Sequence, residues 1–159
     1  GAFLSYLISN GITPALFEAG EKSKIVKFST DLGDYKVYIK YSTTCKASDR
    51  KNTRKWDVPF TEKEMDILKN FPEQNRKHFF VLVCTDPDMK ENEIAVLDFD
   101  NGLKCLGNDS VNKERRISVI HKKGSPYMKC YGTARSESQG IQIYKDFNRY
   151  FLDKAIDCV

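Results

Sequence analysis

The chain has 159 residues, of which 40% are hydrophobic and 30% are charged, and its formal net charge is +4. This length and composition suffice for the buried core of one ordinary globular domain and exclude a disordered protein. No apolar run approaches the ~20 residues of a membrane-spanning helix, so we expect no membrane partner. Residues 1–159 are therefore predicted to form a single globular domain.

The first part of the chain predicts two short helices and then a β-hairpin. The helices are expected at residues 4–8 and 15–17. Val, Ile, Tyr and Thr are frequent in residues 25–29 and 36–43, and the turn-forming segment 31–34 separates these two strands. Alternation along the second strand predicts a core face made of Val37, Ile39 and Tyr41.

The middle of the chain predicts a basic loop, a helix and two strands. Residues 47–55 contain no large apolar side chain and are predicted to form a polar loop. Residues 61–64 spell a capping box, which starts a helix that Pro72 ends. Residues 79–84 form a continuous apolar run, typical of a strand buried on both faces, and residues 94–99 predict another strand.

The last part of the chain predicts a second hairpin and a closing helix. Residues 116–122 and 126–131 are expected to pair across a Lys-Gly-Ser turn. Apolar spacing over residues 143–151 predicts an amphipathic helix, with a strand beginning at 141–143 as the alternative. Together the elements predict an α+β fold, with a single mixed or antiparallel sheet of about five to seven strands flanked by helices.

Cysteine spacing and the absence of cofactor motifs limit the possible chemistry. The five cysteines are Cys45, Cys84, Cys105, Cys130 and Cys158. They are far apart and odd in number, which predicts neither a zinc site nor a redox pair and indicates a reducing, cytoplasmic location. The sequence has no phosphate-cradling glycine loop, so no cofactor is indicated.

Covalent catalysis is not predicted either. The chain has no Gly-x-Ser-x-Gly elbow and only two histidines. His121 shares a strand face with Ile117 and Val119, which favours a hydrogen-bonded core histidine. Cys84 lies within the apolar run, where burial would keep its thiol inert. The sequence therefore predicts no specific class of enzyme.

One segment carries the pattern of a metal-dependent nuclease. Asp34 precedes a strand with Tyr38 and Lys40, and a helix and a buried strand follow. In this order the chain resembles, over roughly residues 14–84, the restriction-endonuclease-like (PD-(D/E)xK) superfamily. The resemblance implies Asp34 as a metal ligand, Lys40 as the lysine near the attacked phosphate, Glu18 as a helix-borne acid, and Mg²⁺ as the cofactor.

The pattern departs from that family at Tyr38, which stands where the second carboxylate is needed. Tyrosine cannot supply that charge, so the resemblance implies a degenerate site, unless the alignment is wrong or the carboxylate comes from elsewhere. In the structural alternative, Lys40 is a solvent-facing strand residue and Asp34 is a turn residue.

Positive charge is concentrated in two blocks, and each has an adjacent ring, Trp56 after the first block and Tyr127 after the second. The candidate nucleic-acid-binding residues are Lys46, Arg50, Lys51, Arg54, Lys55, Trp56, Arg115, Arg116, Lys122 and Lys123. Cationic side chains neutralise phosphates and aromatic rings stack on bases, which favours DNA or RNA as the partner. The blocks form one patch only if the loop after the first hairpin lies near the second hairpin. In the structural alternative they are ordinary charged loops, and Trp56 anchors the core.

The leading hypothesis is a nucleic-acid-associated domain that binds the phosphate backbone through basic loops, in its most specific form a degenerate nuclease relative. The alternative is a protein-interaction domain of a bacterial or mobile-element system, which would bind a protein partner through an exposed sheet edge or hairpin. Merged basic patches would favour nucleic-acid binding. A cluster of Asp34, Glu18 and Lys40 would favour a nuclease.

Overall fold

A computed structural model describes residues 23–42, 45–86, 91–108 and 114–151. The strands in these ranges are β1 (Ser23–Thr30), β2 (Gly33–Ser42), β3 (Cys45–Ser48), β4 (Thr53–Phe60), β5 (Lys77–Asp86), β6 (Glu91–Asp98), β7 (Arg115–Lys122), β8 (Tyr127–Gly132) and β9 (Ile141–Tyr144). The helices are α1 (Glu62–Lys69) and α2 (Phe99–Leu106), and 3-10 turns span Glu137–Gln139 and Phe147–Tyr150. The helices predicted at residues 4–8 and 15–17 lie outside the described residues. No helix within the described ranges is both long and apolar enough to cross a lipid bilayer.

The predicted fold class is wrong, because the chain is mostly β and forms two sheets. Sheet A has four strands in the order β1-β2-β5-β6, and sheet B has five in the order β3-β4-β7-β8-β9. The error arose in two segments. Residues 47–55, predicted as a loop, contribute to β3 and β4, and residues 141–144 form β9, the predicted alternative to a helix over residues 143–151.

Sheet A contains the predicted first hairpin and the predicted buried strand. β1 and β2 pair antiparallel, whereas β2 and β5 pair in parallel, so the chain crosses over through β3, β4 and α1 between them. Both faces of β5 are buried, as predicted. Phe80 and Leu82 lie on one face and Val81 and Val83 on the other, all with 0% exposure.

Strand β2 is also buried on both faces, although the sequence indicated a single core face. Of the three residues predicted for the core face, Val37 and Ile39 are buried in one cluster with Val81 and Val83, and Tyr41 packs against it partly buried. Tyr38, on the opposite face, is only 1% exposed because it belongs to the cluster between the two sheets. Period-2 alternation cannot reveal that a second sheet covers the polar-looking face.

The core between the sheets is rich in aromatic rings and closed by both helices. The Phe80 ring is perpendicular to Phe60 at 5.6 Å and stacks on Phe99 of α2 at 5.2 Å, between ring centroids. Helix α1 begins with the predicted capping box between Thr61 and Glu64. Sheet B buries one face against this core, and its opposite face carries the candidate site.

Candidate nucleic-acid interface

Alternate residues of sheet B project away from sheet A and form what we call the outer face. Inward-facing neighbours such as Val58, Ile117 and Met128 are at most 2% exposed. The outer face carries Lys46, Thr53, Lys55, Asp57, Arg116, Ser118, Ile120, Lys122, Tyr127, Lys129, Tyr131, Gln142 and Tyr144. This alternation separates an apolar inner face from a polar outer face.

Strand register places basic residues of different strands in one row. Lys46 is opposite Lys55, Lys55 is opposite Ile120, and Ile120 is opposite Lys129. With neighbouring strands ~4.8 Å apart, this row extends about 14 Å across the sheet. The next exposed basic residue on β7 is Lys122, two residues beyond Ile120. The outer face therefore carries a group of cationic side chains that are distant from one another in sequence.

The tips of the β3–β4 and β7–β8 hairpins lie side by side, because β4 pairs with β7. The backbone N–H of Lys123 donates to the carbonyl of Asn52 at 2.9 Å. This contact brings the exposed Arg50 and Lys51 next to the exposed Lys122 and Lys123. The two basic blocks of the sequence thus form one surface, which we call the basic tip (Arg50, Lys51, Lys122 and Lys123).

Asp57 lies among the cations of the outer face. Its carboxylate is 3.4 Å from Lys46 Nζ, 3.8 Å from Lys55 Nζ and 3.7 Å from Arg116 Nε, and it accepts the Ser118 hydroxyl at 2.5 Å. Burial tends to raise the pKa of Asp57, but the Ser118 hydrogen bond and the two ammonium groups lower it overall. Such partly exposed pairs contribute about 0–1 kcal/mol each, so phosphate groups can compete for the cations.

Aromatic rings stand at the β8–β9 side of the same face. Tyr127 and Tyr144 are opposite each other in the register, with ring centroids 5.3 Å apart. Both are partly open to solvent, at 39% and 38% exposure. The Arg149 guanidinium lies 4.1 Å from the Tyr144 ring centroid. The face therefore combines cations with exposed π-surfaces, the two elements of single-strand binding grooves.

Three of the predicted binding residues face the interior instead. Trp56 is 0% exposed and donates its Nε1–H to a backbone carbonyl of β5, so it anchors the core. Arg54 points inward and lies 3.3 Å from Asp86 and 2.9 Å from Glu93. Arg115 is half-buried and lines a groove between the two helices. The other predicted residues, Lys46, Arg50, Lys51, Lys55, Arg116, Lys122 and Lys123, lie on the outer face or at the hairpin tips.

The predicted set omits Lys129 and Tyr144. A local pattern identifies Lys129, because Met128 and Cys130 mark the inner face of β8 and place the residues between and beside them outside. Tyr144 has no such pattern, since its segment also fits helical spacing. Its position on β9 becomes visible only through the pairing with β8.

The residues implied by the nuclease resemblance do not meet within the described part of the chain. Asp34 and Lys40 stand at opposite ends of β2, about 20 Å apart at ~3.3 Å per residue. Asp34 is exposed and accepts the Ser29 hydroxyl at 2.6 Å. Glu18 lies outside the described residues. In the described ranges no three His, Cys, Asp or Glu side chains are grouped to hold a metal ion.

Lys40 has a different environment from the one expected on either interpretation. It is 3% exposed, and its ammonium contacts the Pro59 carbonyl and lies 2.8 Å from the Glu64 carboxylate. Tyr38 donates its hydroxyl to the same carboxylate at 2.7 Å. Burial tends to raise the pKa of Glu64, but the hydrogen bonds from Lys40 and Tyr38 lower it. The lysine therefore fastens helix α1 to sheet A.

Acidic residues at the end of β5 and the start of β6 contribute to a buried charge cluster. Asp86 and Glu93 are 6% and 4% exposed, and both lie against Arg54. His121 is 2% exposed, with Nε2 2.8 Å from the Ser125 carbonyl, which confirms it as a core histidine. Its Nδ1 is 2.6 Å from the Glu93 carboxylate, so the two side chains form a close buried pair.

The three buried cysteines among the described residues support no nucleophilic role. Cys84 and Cys130 are fully buried, and burial raises the pKa of both thiols. Burial also raises the pKa of Cys105 to about 11. Thiolates are the reactive form of cysteine, so these side chains are inert at neutral pH, as predicted for Cys84.

A Lys40→Met substitution tests whether Lys40 is structural. Removing the ammonium leaves the Glu64 carboxylate buried without its charge partner, so we expect the free energy of unfolding to fall by about 3–5 kcal/mol in urea titrations. A second change, Glu64→Gln, should recover part of that loss. The matched control Lys69→Met, on the exposed face of α1, should change stability by less than about 0.5 kcal/mol. If the double variant lost as much free energy of unfolding as the two single variants together, the result would contradict the pairing of Lys40 with Glu64.

The His121–Glu93 pair predicts a pH-dependent stability. The Glu93 carboxylate raises the pKa of His121 above its usual 6.5, against the lowering effect of burial. A raised pKa contributes stability that is complete below the unfolded value of about 6.5 and is lost as pH rises through the folded value. The stability gap between the wild type and His121→Gln should therefore shrink as the pH rises above about 6.5 in urea titrations. A stability difference that stays constant with pH would contradict this expectation. In a Glu93→Gln background, the difference should depend much less on pH.

Comparisons with known proteins add no assignment. No protein-family model matches the sequence, and neither searches of curated proteins nor searches of solved structures found a similar protein. The resemblance to restriction-endonuclease-like proteins therefore stays a prediction.

Proposed function

We propose that the protein is a nucleic-acid-binding domain, and that it binds through the outer face of sheet B together with the basic tip. The observation that carries this proposal is the merging of the two basic blocks. It depends on the β4–β7 register and on the hydrogen bond from the Lys123 N–H to the Asn52 carbonyl. A continuous cationic surface releases counterions from a phosphate backbone, which two separate charged loops would do less effectively.

The charge balance of this surface supports a polyanionic ligand. Its exposed or half-buried cations are Lys46, Arg50, Lys51, Lys55, Arg116, Lys122, Lys123 and Lys129. The carboxylates on the same strands and turns are Asp49 and Asp57, and Asp57 is already shared among three of the cations. Lys55 remains charged at neutral pH, since a hydrogen bond with Tyr131 raises its pKa. Eight cations and two carboxylates leave this surface with an excess of +6, which is larger than the formal net charge of +4 for the whole chain.

Cleavage is not part of the proposed activity. Among the described residues, Asp34 lies at the far end of β2 from Lys40, and the Lys40 ammonium is already paired with Glu64. A metal-dependent nuclease needs its carboxylates and lysine around a single phosphate. Binding alone is therefore the function that these contacts support.

A triple substitution of the basic tip tests the proposal. Changing Arg50, Lys51 and Lys123 to Gln should weaken binding to a labelled oligonucleotide in fluorescence anisotropy. If all three contact phosphates, the slope of log K against log[salt] should fall by about 2 for a single strand, at roughly 0.7 per contact. Arg54 is left intact because its guanidinium compensates the buried Asp86 and Glu93 carboxylates.

The matched control removes the same charge from elsewhere on the surface. Lys63, Lys69 and Lys104 are exposed on the two helices, away from the outer face. Their replacement by Gln should leave the salt slope close to that of the wild type. If both triple variants lost the same affinity and the same salt slope, the effect would come from net charge alone and would contradict the assigned surface. No binding to any DNA or RNA at low salt would overturn the proposal and favour a protein partner.

A further inference from the structure

We infer that the ligand is a single-stranded nucleic acid whose unpaired bases stack on the Tyr127–Tyr144 pair; this inference rests on the proposed function. The pair lies on the same outer face as the row of lysines, so one strand can contact both. Phosphates would lie against the lysines of β3, β4 and β8, and bases would lie against the two rings. Base stacking of this kind is available only where bases are not already paired and stacked.

The register places the rings directly beside basic side chains. Tyr127 and Lys129 are two residues apart on the outer face of β8, or about 7 Å along the strand. Across the sheet, Tyr127 is opposite Tyr144, and Lys129 is opposite Gln142. A ring and a cation therefore alternate along β8, and an amide that can hydrogen-bond to a base edge lies next to them.

Neighbouring contacts hold the tyrosine pair in place. The Tyr144 N–H donates to the Tyr150 hydroxyl at 3.1 Å, and the next N–H, of Lys145, donates to the Pro126 carbonyl at 2.9 Å. Arg149 lies 4.1 Å from the Tyr144 ring centroid and adds a guanidinium plane to the stack. Both rings remain more than one-third exposed despite these contacts. Because these contacts restrict Tyr144 before any ligand binds, a base that stacks on its ring costs less conformational entropy.

The rest of the described surface is poorly suited to a duplex. Reading B-DNA in the major groove commonly uses the N-terminal part of a helix. Here exposed carboxylates lie in the first turns of the helices, with Glu62 in α1 and Asp100 in α2. These carboxylates would repel phosphates at the entrance of a groove. The open sheet face with exposed rings suits a splayed single strand instead.

Anisotropy titrations with single strands and their matched duplex test the inference. We expect the wild type to bind oligo(dT) or oligo(U) more tightly than the duplex at the same salt concentration. Replacing both Tyr127 and Tyr144 by Ala should weaken single-strand binding roughly 5- to 150-fold for each stacked base, and should leave the salt slope unchanged. The DNA and RNA arms show which sugar the surface accepts, and tighter single-strand binding in either arm supports the inference.

The matched control replaces both tyrosines by Phe, which keeps the rings and removes the hydroxyls. This variant should bind single strands nearly as well as the wild type, and thermal unfolding checks that all variants are folded. Equal affinity for single strand and duplex, with no effect of the Ala substitutions, would overturn the inference while leaving the proposed function intact. Loss of binding to every nucleic acid in the wild type would instead remove the proposed function.

Discussion

The antiparallel pairing of β4 with β7 is the constraint on which the rest of this structure depends. It runs from Thr53 opposite Lys122 to Phe60 opposite Arg115 and joins two hairpins that are far apart in sequence. A slip of one residue would turn every side chain of β4 to the other face, so that Trp56 would face water and Lys55 the core. The apolar inner residues therefore determine the register, and the register determines where the cations lie.

Adjacent basic residues consequently have opposite roles. Arg54 faces inward, beside the buried Asp86 and Glu93 carboxylates, and Lys55 faces outward over the Tyr131 ring at 5.4 Å from its centroid. A count of positive charges along the chain treats the two as equivalent. The strand separates them, because successive side chains point to opposite faces. The candidate interface is a property of one face of a sheet.

Two buried polar clusters connect sheet A to its neighbouring elements. Lys40 and Glu64 connect sheet A to the start of α1, and Arg54 and His121 of sheet B contact Glu93 of sheet A. Burying charges costs desolvation energy that the pairing only partly repays, so such clusters contribute less net stability than an apolar core of the same size. In each cluster, however, the loss of one partner leaves an uncompensated buried charge and destabilises the fold. We infer that their main effect is to specify how the two sheets and the helix align.

Local patterns in the sequence were enough for both hairpins, the buried strand β5, the capping box of α1 and the burial of His121, since each depends on neighbours within a few residues. The division into two sheets, the burial of Trp56 and Lys40, and the tyrosine pair on β8 and β9 were decided only by the tertiary structure. These features depend on strand pairings between distant segments and on which face a second sheet covers. Side-chain alternation gives two faces for every strand, but only packing determines which of them meets water.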